Sequence, residues 1–446
     1  MDPLGAANDI VALSKAIHDG SPTRYLRDGA VFVEPLRVWA GQLHGTQAAG
    51  VLMGQGFPEN CAKSPDGFAH SDLCLQEGAV TFQVGTGFFN PASRPSRDLG
   101  VLLARILARK RPLRILDLMA GCGLRSMRYG HEAQALSLLV NDADPARLPL
   151  LHSNLAGLEG SCLLRTTTQT AQRLLAKCLL QGERFDLVDL DAFGSPFALV
   201  PLALEAVALE GVLYLASSDG RGQTGHDRGA GLRRLGASVR CHPASWELAL
   251  RLQLGLIARS AWCQGRGIEP LFSFSDGCTF RTAVRLKRHP SLGEELEIGL
   301  VAVCHRCGDQ QVQAMGNLRG WNLCCSGSPT LAVSGPLWIG PLQHIPTLIA
   351  MASEGERTPI SLSKAGARLL VRLQKDRGSP ARCWPLALIA RHLLTSQPPL
   401  QSLVSRLREA GFRASASGVM HGQIRSDAPW ATILDLAGDL ARGAAK

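Results

Sequence analysis

The feature that most constrains this chain is a series of short apolar runs, several closed by a carboxylate, set apart by helix-length stretches. Arg114-Ile115-Leu116-Asp117-Leu118, Leu136-Ser137-Leu138-Leu139-Val140, Phe185-Asp186-Leu187-Val188-Asp189-Leu190 and Gly211-Val212-Leu213-Tyr214-Leu215-Ala216 are near-continuous rather than alternating. Strands buried on both faces read this way. Helices belong between them, for example Ser96 to Ala108. This alternation, from about Glu77 to Arg285, predicts a parallel α/β sheet. The 446 residues allow about two to four domains. Residues 1–75 are an unassigned extension with one strand-like run, Ala30-Val31-Phe32-Val33. Residues 76–289 form the α/β domain, and 290–446 a smaller α+β domain with a cysteine cluster and a helical tail. The polar stretch Ser353 to Pro359 reads as a further boundary.

Open α/β sheets hold ligands beyond the carboxyl ends of their strands. One such end is Asp117-Leu118-Met119-Ala120-Gly121-Cys122-Gly123-Leu124-Arg125. A strand closes on Asp117, and a Gly-x-Gly turn, which lets backbone approach a ligand closely, opens the next helix. About 20 residues on, a second strand ends in Asn141-Asp142, where an acid holds ribose hydroxyls. No full Gly-x-Gly-x-x-Gly is present, which disfavours a dinucleotide. S-adenosylmethionine has one ribose and no pyrophosphate, so a looser turn suffices. The competing reading is an ordinary α/β turn with Asp142 as a helix N-cap.

The third strand end is Asp191-Ala192-Phe193-Gly194-Ser195-Pro196. A flat aromatic stacks on a nucleobase, and a neighbouring Asp accepts hydrogen bonds from an exocyclic amine. That pairing points to methylation of a base nitrogen. Asp191 could instead cap a helix. Asp189, two residues earlier on the same strand face, is the second candidate acid.

Several stretches, in order, resemble the tRNA (guanine-26-N2) dimethyltransferase family. Gly87-Phe88-Phe89-Asn90-Pro91 with Ser96-Arg97-Asp98-Leu99 resembles its FYNP…NRD segment. Gly123-Leu124-Arg125-Ser126-Met127-Arg128-Tyr129 is similar to its GIRxxRY turn, and Asp191 to Pro196 to its DPFGSP. Asn141-Asp142, Asn154, Ser334 to Leu342, Gly411 to Ser415 and Ile424 to Trp430 resemble further segments, so the likeness runs from about Glu77 nearly to the end. It implies a Rossmann-like class I methyltransferase sheet, S-adenosylmethionine as cofactor, tRNA as partner, and methyl transfer to guanine N2. It also implies Asp191 and Phe193 as catalytic residues, Arg97, Asp117 and Arg125 near the cofactor, and Asp142 on its ribose. Thr170-Ala171 stands where the family has Asp-Ala beside the adenine, so a charge is lost there. Ala192 replaces a family Pro.

The remaining composition supports this frame. Hydrophobic residues make up 46% and charged residues 19%, as in a globular chain, and the net charge of +10 suits a polyanionic partner. Basic residues recur at Arg228, Arg233, Arg234 and Arg240, at Arg281, Arg285, Lys287 and Arg288, and at Lys364, Arg368, Arg372, Lys375 and Arg377. Such runs track phosphates without reading sequence. The segment Ile360 to Trp430 resembles a winged-helix-like module. Of 13 cysteines, Cys304-His305-Arg306-Cys307 and Cys324-Cys325 suit a zinc ribbon with a structural metal. Gly327 stands where a second CxxC would place its last Cys, and His305 is an alternative ligand. No apolar run reaches membrane length, and no cationic segment near Asp2 suggests a signal peptide. A cytoplasmic protein with no obligate protein partner is expected. Two other classes remain: a methyltransferase for another RNA base amine, and a non-catalytic RNA-binding protein with a decayed cofactor site.

Overall fold

A computed structural model describes residues 26–27, 30–31, 74–85, 89–277, 279–322, 324–325 and 331–443. Phe32, Val33, Gly87, Phe88 and Gly327 lie outside the described residues. The chain divides into two compact units, Met1–Glu59 and Asn60–Lys446. In the first, Leu26–Arg27 (β1) pairs antiparallel with Ala30–Val31 (β2).

The second unit opens with a hairpin of Cys74–Glu77 (β3) and Val80–Gln83 (β4). Its centre is a sheet of Arg114–Asp117 (β5), Ser137–Asn141 (β6), Leu163–Thr167 (β7), Phe185–Asp191 (β8), Val207–Ser217 (β9), Gly267–Ser275 (β10) and Phe280–Lys287 (β11). The spatial order is β10-β11-β9-β8-β5-β6-β7. The first five strands in sequence run parallel, and β10 and β11 are antiparallel. Neighbouring residues alternate between two cores: Ile115, Leu187 and Val212 face one, and Leu116, Val188 and Leu213 the other. Both faces are therefore buried, which explains the unbroken apolar runs.

The helix Arg94–Ala108, with a proline in its first turn, and the helix Leu124–Ala133 cover the face of Ile115 and Leu187. The helix Ser245–Cys263 contributes to the opposite core. From β5 the chain winds outward through β6 and β7, then crosses back to β8. The order of winding reverses between β5 and β8, so a crevice opens beyond their carboxyl ends.

Beyond the sheet, Ile298–Cys304 (β12), Gln310–Ala314 (β13) and Leu331–Trp338 (β14) form an antiparallel trio ordered β13-β12-β14. A second trio contains Cys383–Pro385 (β15), Ala414–Ala416 (β16) and Gln423–Ser426 (β17), ordered β15-β17-β16. The helices Leu386–Leu393, Leu400–Glu409 and Trp430–Gly443 pack on it around Trp384, Ile389, Leu403, Leu407, Ile424 and Ile433. The main core continues past residue 289, since Leu337 and Trp338 pack with Leu250 and Leu254. Gly255 permits that contact: a Cβ there would stand 2.8 Å from Leu337 Cα.

Buried ion pairs join the same parts. Arg425 donates to both oxygens of Glu247 at 2.6 Å and to Asp376 at 2.9 and 3.0 Å. Arg128 donates to Glu77, Asp98 and Glu132, and also to the Ser361 carbonyl at 2.9 Å. The boundary read at Ser353 to Pro359 is corrected, because the helix Ile345–Arg357 runs through most of it. Buried Glu354 is satisfied there by Arg105, Arg109 and Arg357, two of them on or beside another helix. A polar stretch therefore folds as packed helix. No helix among the described residues is long and apolar enough to cross a membrane.

Candidate active site

The site is built where β5 and β8 end. Successive strand residues alternate faces, so Leu187, Asp189 and Asp191 share one. Asp189 lies in register with Asp117 across the parallel pair. Gly123, at φ 80°, caps the helix Leu124–Ala133 and turns Arg125 back over this face. Arg125 Nη2 donates to Asp191 Oδ2 at 2.8 Å, and Arg281 Nη2, from β11, donates to the same oxygen at 2.7 Å. Burial alone would raise the Asp191 pKa, but the Arg281 and Arg125 guanidiniums outweigh it and hold the carboxyl well below its ordinary value. Asp191 is a clamped anion with 28% of its side-chain surface exposed, and it does not cap a helix.

Asp189 is different. It is fully buried, takes a 2.6 Å bond from Tyr129 Oη, and its Oδ1 has no partner. Burial raises its pKa despite Arg125. Burial and the Asp189 charge push Asp117 up to about 7, and Ser126 Oγ donates to it at 2.6 Å. The acids under the crevice thus divide: the arginines favour the ionised form of Asp191 at the tip, while burial favours the neutral forms of Asp189 and Asp117 beneath it.

Phe193 projects from the turn after Asp191 with 80% of its surface exposed. The turn is anchored beside it. Gly194 N donates to Ser218 Oγ at 2.7 Å, and Gly194 O accepts from Ser218 N at 3.0 Å and Ser217 Oγ at 3.2 Å. Gly194 adopts φ +74°, which favours glycine. These bonds fix the turn although Ala192 lacks a proline's restraint.

On the other side of β5, Gly121 N donates to Asp142 Oδ2 at 2.9 Å, and Asp144 N donates to Asp142 Oδ1 at 3.0 Å. The cap of the following turn is Asp144, which accepts from Ala146 N. Asp142 therefore ties the Gly-x-Gly turn to the end of β6. A Cβ at Gly121 would meet open space, so the turn faces a vacant approach. Thr170 is exposed and caps the helix Ala171–Leu180, accepting from Arg173 N at 3.4 Å, while Ala171 is buried. Arg97 is committed elsewhere: its Nε and Nη2 engage Glu77 at 2.7 and 2.6 Å, and it donates to the Asn90 carbonyl at 3.2 Å. The strand ends thus bring together Asp117, Arg125, Asp142, Asp191 and Phe193, with Thr170 and Ala171 at the next helix start.

Cys304, Cys307, Cys324 and Cys325 converge, with all four Sγ atoms within 4.8 Å of one another. The group does not include His305.

Sequence reasoning placed Arg281 in a basic phosphate-tracking run. It is 1% exposed and cannot track phosphates. Nothing local distinguishes it, because its burial follows from an acid 90 residues away in sequence. Tyr129, Tyr214 and Ser96, which surround the two arginines, also gave no separate signal. Tyr214 Oη donates to Ser96 O at 2.8 Å.

Comparison with known proteins gives a consistent result. Residues 71–437 match the model of the N2,N2-dimethylguanosine tRNA methyltransferases. A Methanosphaerula palustris protein named tRNA (guanine(26)-N(2))-dimethyltransferase is 30% identical over 346 residues, covering 77% of this chain and 89% of its own. A Pyrococcus horikoshii protein of the same name is 26% identical over 369 residues, covering 78% and 91%. Among solved structures, Trm1 from Pyrococcus horikoshii with S-adenosyl-L-methionine shares this fold at a TM-score of 0.72. That match has 24% identity and covers 82% of this chain and 99% of that one. The chain belongs to the N2,N2-dimethylguanosine tRNA methyltransferase family.

Proposed function

We propose that this protein transfers methyl groups from S-adenosylmethionine to the exocyclic N2 of the guanine at position 26 of tRNA. Its relatives carry that activity in their names. The observation that carries the reading is a clamped, ionised Asp191 beside an anchored, exposed Phe193 at the carboxyl end of β8.

The residues fit the cofactor. Gly121 leaves backbone open to a ligand, and Asp142 takes one backbone N–H on each oxygen, which leaves lone pairs for ribose hydroxyls. Thr170 and Ala171, at the start of the helix Ala171–Leu180, would lie beside the adenine, and Asp117 and Arg125 would line the far side; Arg97, engaged by Glu77 and the Asn90 carbonyl, would act only at a distance. When bound, S-adenosylmethionine supplies an electrophilic methyl group.

The chain's own residues do the rest. The guanine N2 lone pair is delocalised into the ring, so the amine is a poor nucleophile. Asp191 accepts an N2–H hydrogen bond and returns electron density to that nitrogen. As the C–N bond forms and the methyl's bond to sulfur breaks, its electron pair staying on sulfur, the nitrogen becomes cationic and strongly acidic, and its proton leaves through Asp191 to solvent. Phe193 stacks on the base and fixes its plane. The guanine must leave its own stack to enter such a crevice. Alignment supplies most of the acceleration, because attack on carbon must be in line.

On this reading residues 76–289 supply the chemistry, and the tRNA contacts come from the C-terminal region, residues 290–446, together with exposed arginines of the α/β domain. Exposed Arg228, Arg233, Arg288, Lys364, Arg368, Lys375 and Arg377 would position the phosphate backbone. Two helices followed by the β16–β17 hairpin support a winged-helix-like module. Tetrahedral thiolates about 2.3 Å from a zinc ion stand roughly 3.8 Å apart. Cys304 and Cys325 sulfurs at 3.9 Å fit that arrangement, so the four cysteines would hold a structural zinc.

The test is methyl transfer from labelled S-adenosylmethionine to unmodified tRNA, followed by nucleoside analysis. The reading predicts N2-methylated guanosine that disappears when position 26 is not guanine. Label in both tRNAs would overturn the position, and none in either would overturn the activity.

A further inference from the structure

Two arginines converge on one oxygen of Asp191, although one would suffice to fix a carboxylate. Arg125 has other partners: Asp189 at 3.5 Å and Ser96 Oγ at 3.4 Å. Arg281 does not. Among the described residues its side chain makes one hydrogen bond, to Asp191; its Nε and Nη1 are buried without a hydrogen-bond partner, and the other acid whose charge favours its ionised form is Asp276. Its Cζ lies 5.7 Å from the Tyr214 ring centroid, which holds the guanidinium over an aromatic face. A buried guanidinium with two unmet donors is costly to fold, and a neutral side chain would fill the same space against Tyr214. What a neutral residue could not do is act on Asp191.

The two bonds share a geometry. Both end on Oδ2, and no hydrogen bond among the described residues reaches Oδ1. One oxygen is saturated by fixed donors from two different elements, a helix start and β11. The other takes no hydrogen bond among the described residues.

We infer that Arg281 is a positioning residue for methyl transfer: with Arg125 it occupies Asp191 Oδ2, so that Oδ1 is presented, ionised and fixed, to the target amine. The inference rests on the proposed role of Asp191. The titratable groups facing Asp191 are Arg125 from the helix, Arg281 from β11, Asp189 from its own strand and Asp117 from β5. Tyr129 and Tyr214 stand among them. Burial opposes ionisation of Asp191 and the two arginines enforce it. Removing either arginine therefore lets Asp191 take up a proton at higher pH than before, and a protonated Asp191 cannot accept the N–H.

The experiment compares Arg281→Gln and Arg281→Lys with the unaltered enzyme and Asp191→Asn, using the full chain and unmodified tRNA. The readouts are kcat, the KM for tRNA and the pH dependence of kcat. Arg281→Gln is expected to lower kcat by about 100-fold, the usual effect of losing one preorganised electrostatic contact. KM for tRNA stays unchanged, and kcat acquires an acid limb that the unaltered enzyme lacks. Arg281→Lys, which restores a cation, recovers part of the loss and moves the limb back. Unchanged kcat in Arg281→Gln would overturn the inference, as would equal losses in both variants with no change in pH profile. If Arg281→Gln does not fold, Arg281→Lys decides: turnover within about tenfold of normal supports the inference. A loss as deep as that of Asp191→Asn, in a protein that still retains S-adenosylmethionine, refutes it. An active Asp191→Asn enzyme would instead defeat the role of Asp191 itself.

Discussion

Replacing Asp191 by alanine removes the carboxylate that two buried guanidiniums share. Arg125 would keep Asp189, whose oxygen is 3.5 Å from its Nη1. The Arg281 side chain would keep no hydrogen bond among the described residues, because Nε and Nη1 already lack one. The two arginine side chains are 9% and 1% exposed, so solvent does little to relieve the stranded charge. Stripping a buried charge of its partner costs about 3–5 kcal/mol. Asp191 itself is partly exposed and water can enter the space it leaves, so the lower end, about 3 kcal/mol, is expected. Asp191→Asn keeps the shape and an acceptor oxygen, so its loss is smaller, about 1.5–3 kcal/mol. Both variants should lose methyl transfer by at least about 100-fold, while tRNA binding survives, since phosphate contacts lie elsewhere. Urea unfolding, labelled methyl transfer and tRNA filter binding measure the three effects separately. Near-normal turnover in a folded Asp191→Asn enzyme would refute the catalytic assignment. An alanine variant as stable as the parent would refute the two-arginine clamp.

Three further outcomes are expected. Phe193→Ala should leave stability within about 0.5 kcal/mol, because the ring is exposed. It should weaken engagement of the target base by about 1–3 kcal/mol, read as a rise in KM for tRNA or a fall in kcat. Asp117 titrates at about 7 when folded and near its ordinary value when unfolded, so the native state binds that proton more tightly. Stability should therefore fall as pH rises from the ordinary carboxyl value through about 7, and Asp117→Asn should flatten that decline in thermal melts taken on both sides of it. Metal analysis of the purified protein should give about one zinc per chain, lost in Cys307→Ser; a folded, metal-free parent would remove the zinc.

The strands were legible because burial on both faces leaves an unbroken apolar signature. Expected and observed limits for the runs at Arg114, Ser137 and Phe185 differ by a residue or so. The strand at Gly211 was read too short: β9 begins at Val207, and polar Glu210, at φ 61°, interrupts its apolar pattern. Asp117, Asp142 and Asp191 were legible because they follow those runs directly. The supporting charges were not. Arg281, Arg128 and Glu354 are buried only because partners distant in sequence neutralise them, so each looks like a surface residue in its own neighbourhood. The same blindness made Ser353 to Pro359 look like a linker. Convergence of Cys304, Cys307, Cys324 and Cys325 was suggested by spacing, while the exclusion of His305 required the fold.

The central claim is that the exocyclic amine of one guanine is held between Asp191 and Phe193 and methylated there. It is tested most directly with two tRNAs that differ only at position 26, one carrying guanine and the other hypoxanthine, which keeps the ring and its O6 but lacks N2. Single-turnover methyl transfer to the guanine tRNA, with none to the hypoxanthine tRNA despite equal binding, is predicted. Equal label in both would place the methyl on another atom and contradict the account.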